Sequence, residues 1–383
     1  MHRKTSTHLG VLLVAASVTA AAASSAIGDI SVDLRGRLHV DAAYFDEDNV
    51  QLDDGFHNRR TRLGVSGKLD DWSILIEYDF AENATAVTDL KLARKIGDGT
   101  VTIGHFKVPM GLNELTSSND ITFMERSAPG NIVVDARRLG VGYDYFAADY
   151  GFQAMVYGRE IGGKQAGDMP LGIAGRFFYS PAIGDNGRFH AGVSAAYEDR
   201  QDYAVLRFRD RPEIRPDGNR LIDTGTIGGV SATAKFGLEL AYQAGPFSVE
   251  GEYFSVDVDT HAGSDPTFTG YHVQTSYVLT GESRGYRNGL FRGISPDSKR
   301  GAWEVAARFS SVDLIDAGFQ GGEQENLTLG LNYYASSNIR FMANYIMVDV
   351  YDSAAVVGGS NVPAVVVGDD SPNVFALRAQ FHF

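Results

Sequence analysis

Ile30-Ser31-Val32-Asp33-Leu34-Arg35-Gly36-Arg37-Leu38-His39-Val40 is the stretch that decides the fold. Ile30, Val32, Leu34, Leu38 and Val40 fall on even positions, while Asp33, Arg35, Arg37 and His39 fall on odd ones. A period of two places these sets on opposite faces of a β-strand, whereas a helix would mix them. The same alternation recurs far along the chain. Ile339, Phe341, Ala343, Tyr345 and Met347 alternate with Arg340, Met342 and Asn344. Phe375, Leu377, Ala379, Phe381 and Phe383 alternate with Arg378, Gln380 and His382. Working outward from these anchors predicts about sixteen strands, near 30–46, 58–69, 71–82, 87–97, 99–109, 136–149, 150–160, 170–184, 187–200, 230–245, 246–260, 268–283, 301–316, 324–337, 338–352 and 373–383. Tight turns at Asp70-Asp71, Gly97-Asp98-Gly99, Asp149-Tyr150, Gly184–Gly187, Ala244–Pro246 and Ser336–Asn338 alternate with longer segments at 47–57, 110–135, 161–169, 201–229, 317–323 and 353–372. Gly281–Arg300 breaks the rule: it is long where a tight turn is due, so it is either a miscounted strand or an inserted segment.

The composition agrees with many strands and turns: 44 Gly, 11 Pro and 11% aromatic residues in 383. No Cys is present, which removes disulfides and thiolate metal sites. His2, Arg3 and Lys4, the apolar run Leu9–Ala23 and the small residues Ser24, Ser25 and Ala26 have the layout of a cleaved export signal, expected over 1–26. The domain that follows is expected over 27–383. The formal net charge is -14, against what a nucleic-acid partner requires.

Beyond the N-terminus no apolar run approaches the roughly 20 residues of a membrane helix. A chain of amphipathic strands can cross lipid only as a closed barrel, because every backbone polar group there needs a protein partner. Trp72, Tyr145 and Tyr345 sit among the apolar faces, as an aromatic girdle requires. A soluble sandwich has alternating strands too, but it seldom needs some 350 residues in one domain. The expectation is an all-β transmembrane antiparallel barrel of about sixteen strands in a Gram-negative outer membrane.

Parity then decides where the arginines point. On the lipid face an Arg at the midplane costs about 2–4 kcal/mol. Arg35, Arg37, Arg60, Arg62, Arg138, Arg176, Arg308, Arg340 and Arg378 all oppose apolar neighbours and are expected in the lumen. Two readings stay open: they attract anions, or they pair with lumen acids such as Glu77, Asp79 and Glu304. The connection after the fifth strand carries Thr116, Ser117, Ser118 and Arg126, whose hydroxyls and guanidinium suit an oxyanion. His39, His190 and His382 have no metal-ligand spacing, and Ser194, four residues after His190, is the weak mark of a possible hydrolase pair. No cofactor and no metal are expected.

The segments RRTRLGVSGKL (59–69), GHFKVPMGLNELTSS (104–118), ITFMERS (121–127), RRLGVGY (137–143), TGESRGY (280–286), GAWEVAARFS (301–310), LTLGLNYY (327–334) and ALRAQFHF (376–383) resemble the phosphate-selective porin O and P family. The resemblance implies a homotrimeric outer-membrane channel with an inward-folded constriction loop, and no enzymatic activity. It assigns anion contacts to Arg126, Ser117 and Ser118, with Arg59 and Arg60 joining the basic ladder; Arg62 and Arg35, inward by parity, complete the expected substrate-binding set. The implied partners are inorganic phosphate or other small anions, with outer-membrane lipid and lipopolysaccharide around the barrel. Glu114 departs from the pattern, since a phosphate-preferring member is expected to place Lys there. The family also narrows its pore with an external loop and a long periplasmic turn. Here 201–229, with Arg207, Arg209, Arg211, Arg215 and Arg220, and 281–300, with Arg284, Arg287, Arg292, Lys299 and Arg300, are the candidates.

Overall fold

Alternating faces fold into sixteen antiparallel strands, each bonded to the next in chain order. The computed structural model describes residues 25–27, 30–81, 86–162, 169–358 and 363–383. The expected export signal therefore lies outside the described residues, apart from Ser25 and Ala26, which with Ile27 form a three-residue strand. The barrel strands are β1 (Ile30–Asp46), β2 (Gly55–Leu69), β3 (Trp72–Asp79), β4 (Ala86–Ile96), β5 (Gly99–Lys107), β6 (Arg137–Phe146), β7 (Tyr150–Tyr157) and β8 (Leu171–Tyr179). They continue with β9 (Gly187–Leu206), β10 (Ile227–Ala244), β11 (Phe247–Thr260), β12 (Thr267–Val278), β13 (Ala302–Asp316), β14 (Phe319–Tyr334), β15 (Ile339–Val357) and β16 (Asn373–His382). β16 pairs back onto β1, with Arg37 opposite His382 and Asp46 opposite Asn373, so the sheet closes without an edge.

The sequence expectation holds strand for strand. It fails at 317–323, expected as a longer connection. There β13 turns into β14 through Ala317-Gly318 alone, both at positive φ (49° and 87°), and Phe319 already pairs with Asp316. The odd stretch at 281–300 is an inserted segment and not a miscounted strand. It leaves β12, forms a small hairpin of Tyr286–Arg287 against Leu290–Phe291, and enters the lumen before β13.

The apolar faces look outward. Leu34, Leu240, Leu329 and Leu377 are 46%, 58%, 48% and 46% exposed, in an apolar outer belt of the kind that faces lipid or a neighbouring barrel. Trp72, Tyr150, Tyr242, Trp303 and Phe341 ring one end of the belt and Tyr44, Tyr78, Tyr197 and Phe375 the other. The interior is polar near the end that carries the tight turns and apolar toward the other. Phe254, Val256 and Val258 of β11, Val312 and Leu314 of β13, and Ile346, Val348 and Val350 of β15 face inward and are buried. They support two inward segments. One is the connection 108–136, with α1 (Leu112–Leu115) and α2 (Ala128–Val133); the other is 207–226, whose Ile214, Leu221 and Ile222 join the same cluster.

Candidate anion pathway

The 108–136 loop lies inside the barrel, and its bent backbone leaves carbonyls that no strand satisfies. Wall side chains take them. Arg340 donates to the Ile121 and Thr122 carbonyls at 2.8 Å each. Arg308 reaches the Glu125 carbonyl at 3.0 Å, Arg378 the Met124 carbonyl, Asn332 the Thr122 carbonyl at 2.9 Å, and Gln380 the Asn119 carbonyl at 3.0 Å. A guanidinium suits this task because its five N–H groups fan out in one plane. These arginines do point inward as parity requires, but Arg308, Arg340 and Arg378 are struts under the loop. Arg176 is likewise engaged, with Glu239 at 2.7 Å and with the Gly289 carbonyl at 3.0 Å.

The other side of the loop is open. A cavity of about 290 Å³ lies between it and the β1–β7 wall. Nine cationic side chains border it: Arg35, Arg37, Arg60, Arg62, Lys91, Lys107, Arg126, Arg137 and Arg292. Among the described residues three acids do so, Glu77, Asp89 and Asp144. Each of the first two is shared between cations. Glu77 meets Arg37 at 3.1 Å and Arg62 at 3.3 Å, and Asp89 meets Arg137 at 2.9 Å and Lys91 at 4.0 Å. The lining therefore keeps a positive balance inside a chain of net charge -14.

Of the seven residues singled out by sequence, Arg35, Arg60, Arg62, Arg126, Ser117 and Ser118 border this one cavity. Ser118 accepts a hydrogen bond from Arg37 Nη1 at 2.9 Å. Arg59 does not join them. A register shift between His39 and Val40 makes Arg59 the extra residue of a β-bulge, so it and Arg60 both turn inward. Arg59 then clamps Glu125 through Nε and Nη2 at 2.7 and 2.9 Å. Glu125 also meets Arg378 at 2.6 Å and Arg60 at 3.6 Å. Burial pushes the Glu125 carboxyl up, but Arg59, Arg60 and Arg378 outweigh it and hold the group well below the usual carboxylate range.

Arg126 pairs within its own loop. It meets the Glu114 carboxylate at 2.9 Å, and donates to the carbonyls of Asn113 (3.0 Å), Glu114 (3.1 Å) and Thr116 (2.8 Å). Lys107 lies 3.5 Å from the same carboxylate. Burial raises the Glu114 carboxyl, Arg126 and Lys107 lower it, and the cations win. Arg126 is thus both cavity lining and loop brace.

The two candidate funnels are less basic than their sequences. Arg207 pairs with Asp223 at 2.6 Å, Arg215 reaches Glu125 at 3.7 Å, and Arg211 bonds the Asp217 carbonyl at 2.8 Å. The same 207–226 segment inserts an acid, Glu213, onto Arg308, Ser310 and the Ala128 N–H. In 279–301, Arg284 braces the constriction loop through Thr122 Oγ1 (3.2 Å) and the Asp120 carbonyl (2.9 Å), while Arg292 reaches the cavity. Lys91, Lys107, Arg137 and Asp89 were missed as site residues. Lys107 lay within the quoted GHFKVPM segment, and Arg137 stands first on its strand, before alternation can mark a face.

The family model for phosphate-selective porin O and P matches residues 32–383. A protein of Caulobacter vibrioides is 30% identical over 377 residues, covering 93% of this chain and 75% of that one. Porin O of Pseudomonas aeruginosa is 28% identical over 401 residues, covering 93% and 89%. Among solved structures, an anion-selective porin from Comamonas acidovorans superposes with a TM-score of 0.61 at 16% identity, over 92% of this chain and all of that one, which supports the barrel fold.

Proposed function

Because the chain belongs to the phosphate-selective porin O and P family, and so to the outer membrane of a Gram-negative bacterium, we propose that it is a passive uptake channel for small oxyanions, inorganic phosphate first among them. The observation that carries this reading is the cavity beside the constriction loop, where nine cations face three acids. Arg126 and Lys107 supply the charge for an oxyanion, Ser117 and Ser118 the hydroxyls, and Arg35, Arg37, Arg60 and Arg62 the cations on the opposite wall. A charge-assisted hydrogen bond contributes about 1.5–3 kcal/mol, and several weak sites in a row let the ion leave again. The export signal over 1–26, the mature domain over 27–383, assembly as a homotrimer and a lipopolysaccharide surround belong to the same proposal.

One observation favours a second reading, a porin without phosphate preference. Glu114 occupies the cations that a dianion would need, 2.9 Å from Arg126 and 3.5 Å from Lys107. Single-channel chloride current titrated with phosphate separates the two. Block at phosphate concentrations far below those of chloride supports the oxyanion site. Phosphate behaving as one more permeant salt leaves the general porin.

A further inference from the structure

On the wall behind the constriction loop, β11 and β12 bring Glu250, Glu252 and His272 together, with one ligand atom from each within 4.8 Å of the others. Glu252 lies directly opposite His272 in the ladder, and Glu250 opposite Gln274. All three side chains are buried, and among the described residues neither carboxylate ion-pairs with an Arg or Lys. His272 Nε2 stands 3.9 Å from Glu250 Oε1 and 3.8 Å from Glu252 Oε2 and has no hydrogen-bond partner. Those distances are too long for hydrogen bonds. They suit two ligands of one ion, since atoms each about 2.0–2.2 Å from a metal lie roughly 3–4 Å apart.

The surroundings are those of a ligand set. His272 Nδ1 is 3.0 Å from Ser127 Oγ, which fixes the ring and, with Nδ1 as donor, turns the Nε2 lone pair toward the carboxylates. The Asn113 N–H donates to Glu252 Oε2 at 3.0 Å, and the Leu112 N–H holds the other oxygen. The amide nitrogens of Gln274 and Asn113 lie 3.1 and 3.4 Å from Glu250 Oε1, while the amide oxygens of both residues are buried without a donor. Three acceptor atoms of residues in and beside the cluster, His272 Nε2 among them, thus have no donor.

We propose that Glu250, Glu252 and His272 form a site for a borderline divalent metal ion of the Zn²⁺ type. One imidazole and two carboxylates favour such an ion over the all-oxygen shells of Ca²⁺ or Mg²⁺. Its place gives it a role. Glu252 holds the start of α1 and His272 holds Ser127 at the start of α2, so the ion fastens the constriction loop to the wall. Gly111, at φ 78°, lets the loop approach: a Cβ there would lie 3.4 Å from Glu252 Oε1 and 3.2 Å from the Phe254 ring.

The test uses untagged, detergent-extracted protein stripped with a chelator and titrated with Zn²⁺. Bound metal and the unfolding temperature are both read. The wild type is expected to retain one Zn²⁺ per chain and to unfold at higher temperature with it. His272→Asn and Glu250→Gln are each expected to weaken binding by about 10–100-fold, with the current of the reconstituted channel still present. If His272→Asn does not fold, Glu250→Gln alone decides. Failure of the wild type to hold stoichiometric metal overturns the proposal, as does retention of equal Zn²⁺ by the variants that fold.

Discussion

Glu114 and Glu125 sit one on each side of the question of what the loop arginines do. Glu125 is a structural anchor: it gathers Arg59, Arg60 and Arg378. Removing one partner of such a buried cluster costs about 3–5 kcal/mol. Glu125→Gln is therefore expected to release the loop, seen as a larger and noisier open-channel current in planar bilayers. Glu114 instead pairs with two cations beside the cavity, Arg126 and Lys107. Glu114→Gln frees Arg126 and Lys107 while keeping the side chain's volume, and phosphate block should strengthen about tenfold, the equivalent of roughly 1.4 kcal/mol. Unchanged block would show that Arg126 serves only as a brace. Acid sensitivity follows from the same two carboxyls. Both are held below their ordinary value of 4.5, so their contribution is complete above it and is lost as pH falls through the lower folded values. Recordings from pH 8 to 5 should show a constant loop-limited conductance, with release only below pH 4.5; release at pH 6 would contradict the pairing.

At the scale of the strand, alternation carries the barrel, and its chemistry inverts partway up. Along β11, Phe247, Val249 and Tyr253 face lipid while Ser248, Glu250 and Glu252 face the lumen. Beyond Tyr253 the parity is unchanged but the apolar residues Phe254, Val256 and Val258 are the inward ones, and Asp257 and Asp259 point out. β13 and β15 do the same, with Val312 and Leu314, and Ile346, Val348 and Val350, turned inward. The inversion marks where strands leave lipid and begin to carry inward loops. Cys at 257 and at 62 should react with a charged thiol reagent, and Cys at 253 and at 345 should not. Reaction at 345 without reaction at 62 would refute the register. All sixteen strands were legible because a period of two survives without tertiary knowledge. The fate of each arginine was not. Arg340 meets Ile121 across 219 residues of sequence, and the bulge at Arg59 adds one residue that no pattern marks. Glu252 and His272 meet across a ladder, so spacing along the chain could not pair them.

Across the whole molecule charge is segregated: the chain is acidic, yet the cavity beside its constriction loop is lined mainly by cations. Exposed acids in the outer loops are screened beyond about 10 Å at 0.1 M salt, whereas Arg35, Arg37, Arg62, Lys107 and Arg126 line the cavity itself. The local field should therefore set the selectivity against the sign of the net charge of -14. The most direct test is the reversal potential of purified channels across a potassium chloride gradient. The expected potential has the sign given by chloride permeating faster than potassium, shrinks as salt rises and is diminished by Lys107→Glu. A potential of the opposite sign, with potassium the faster ion, would contradict it.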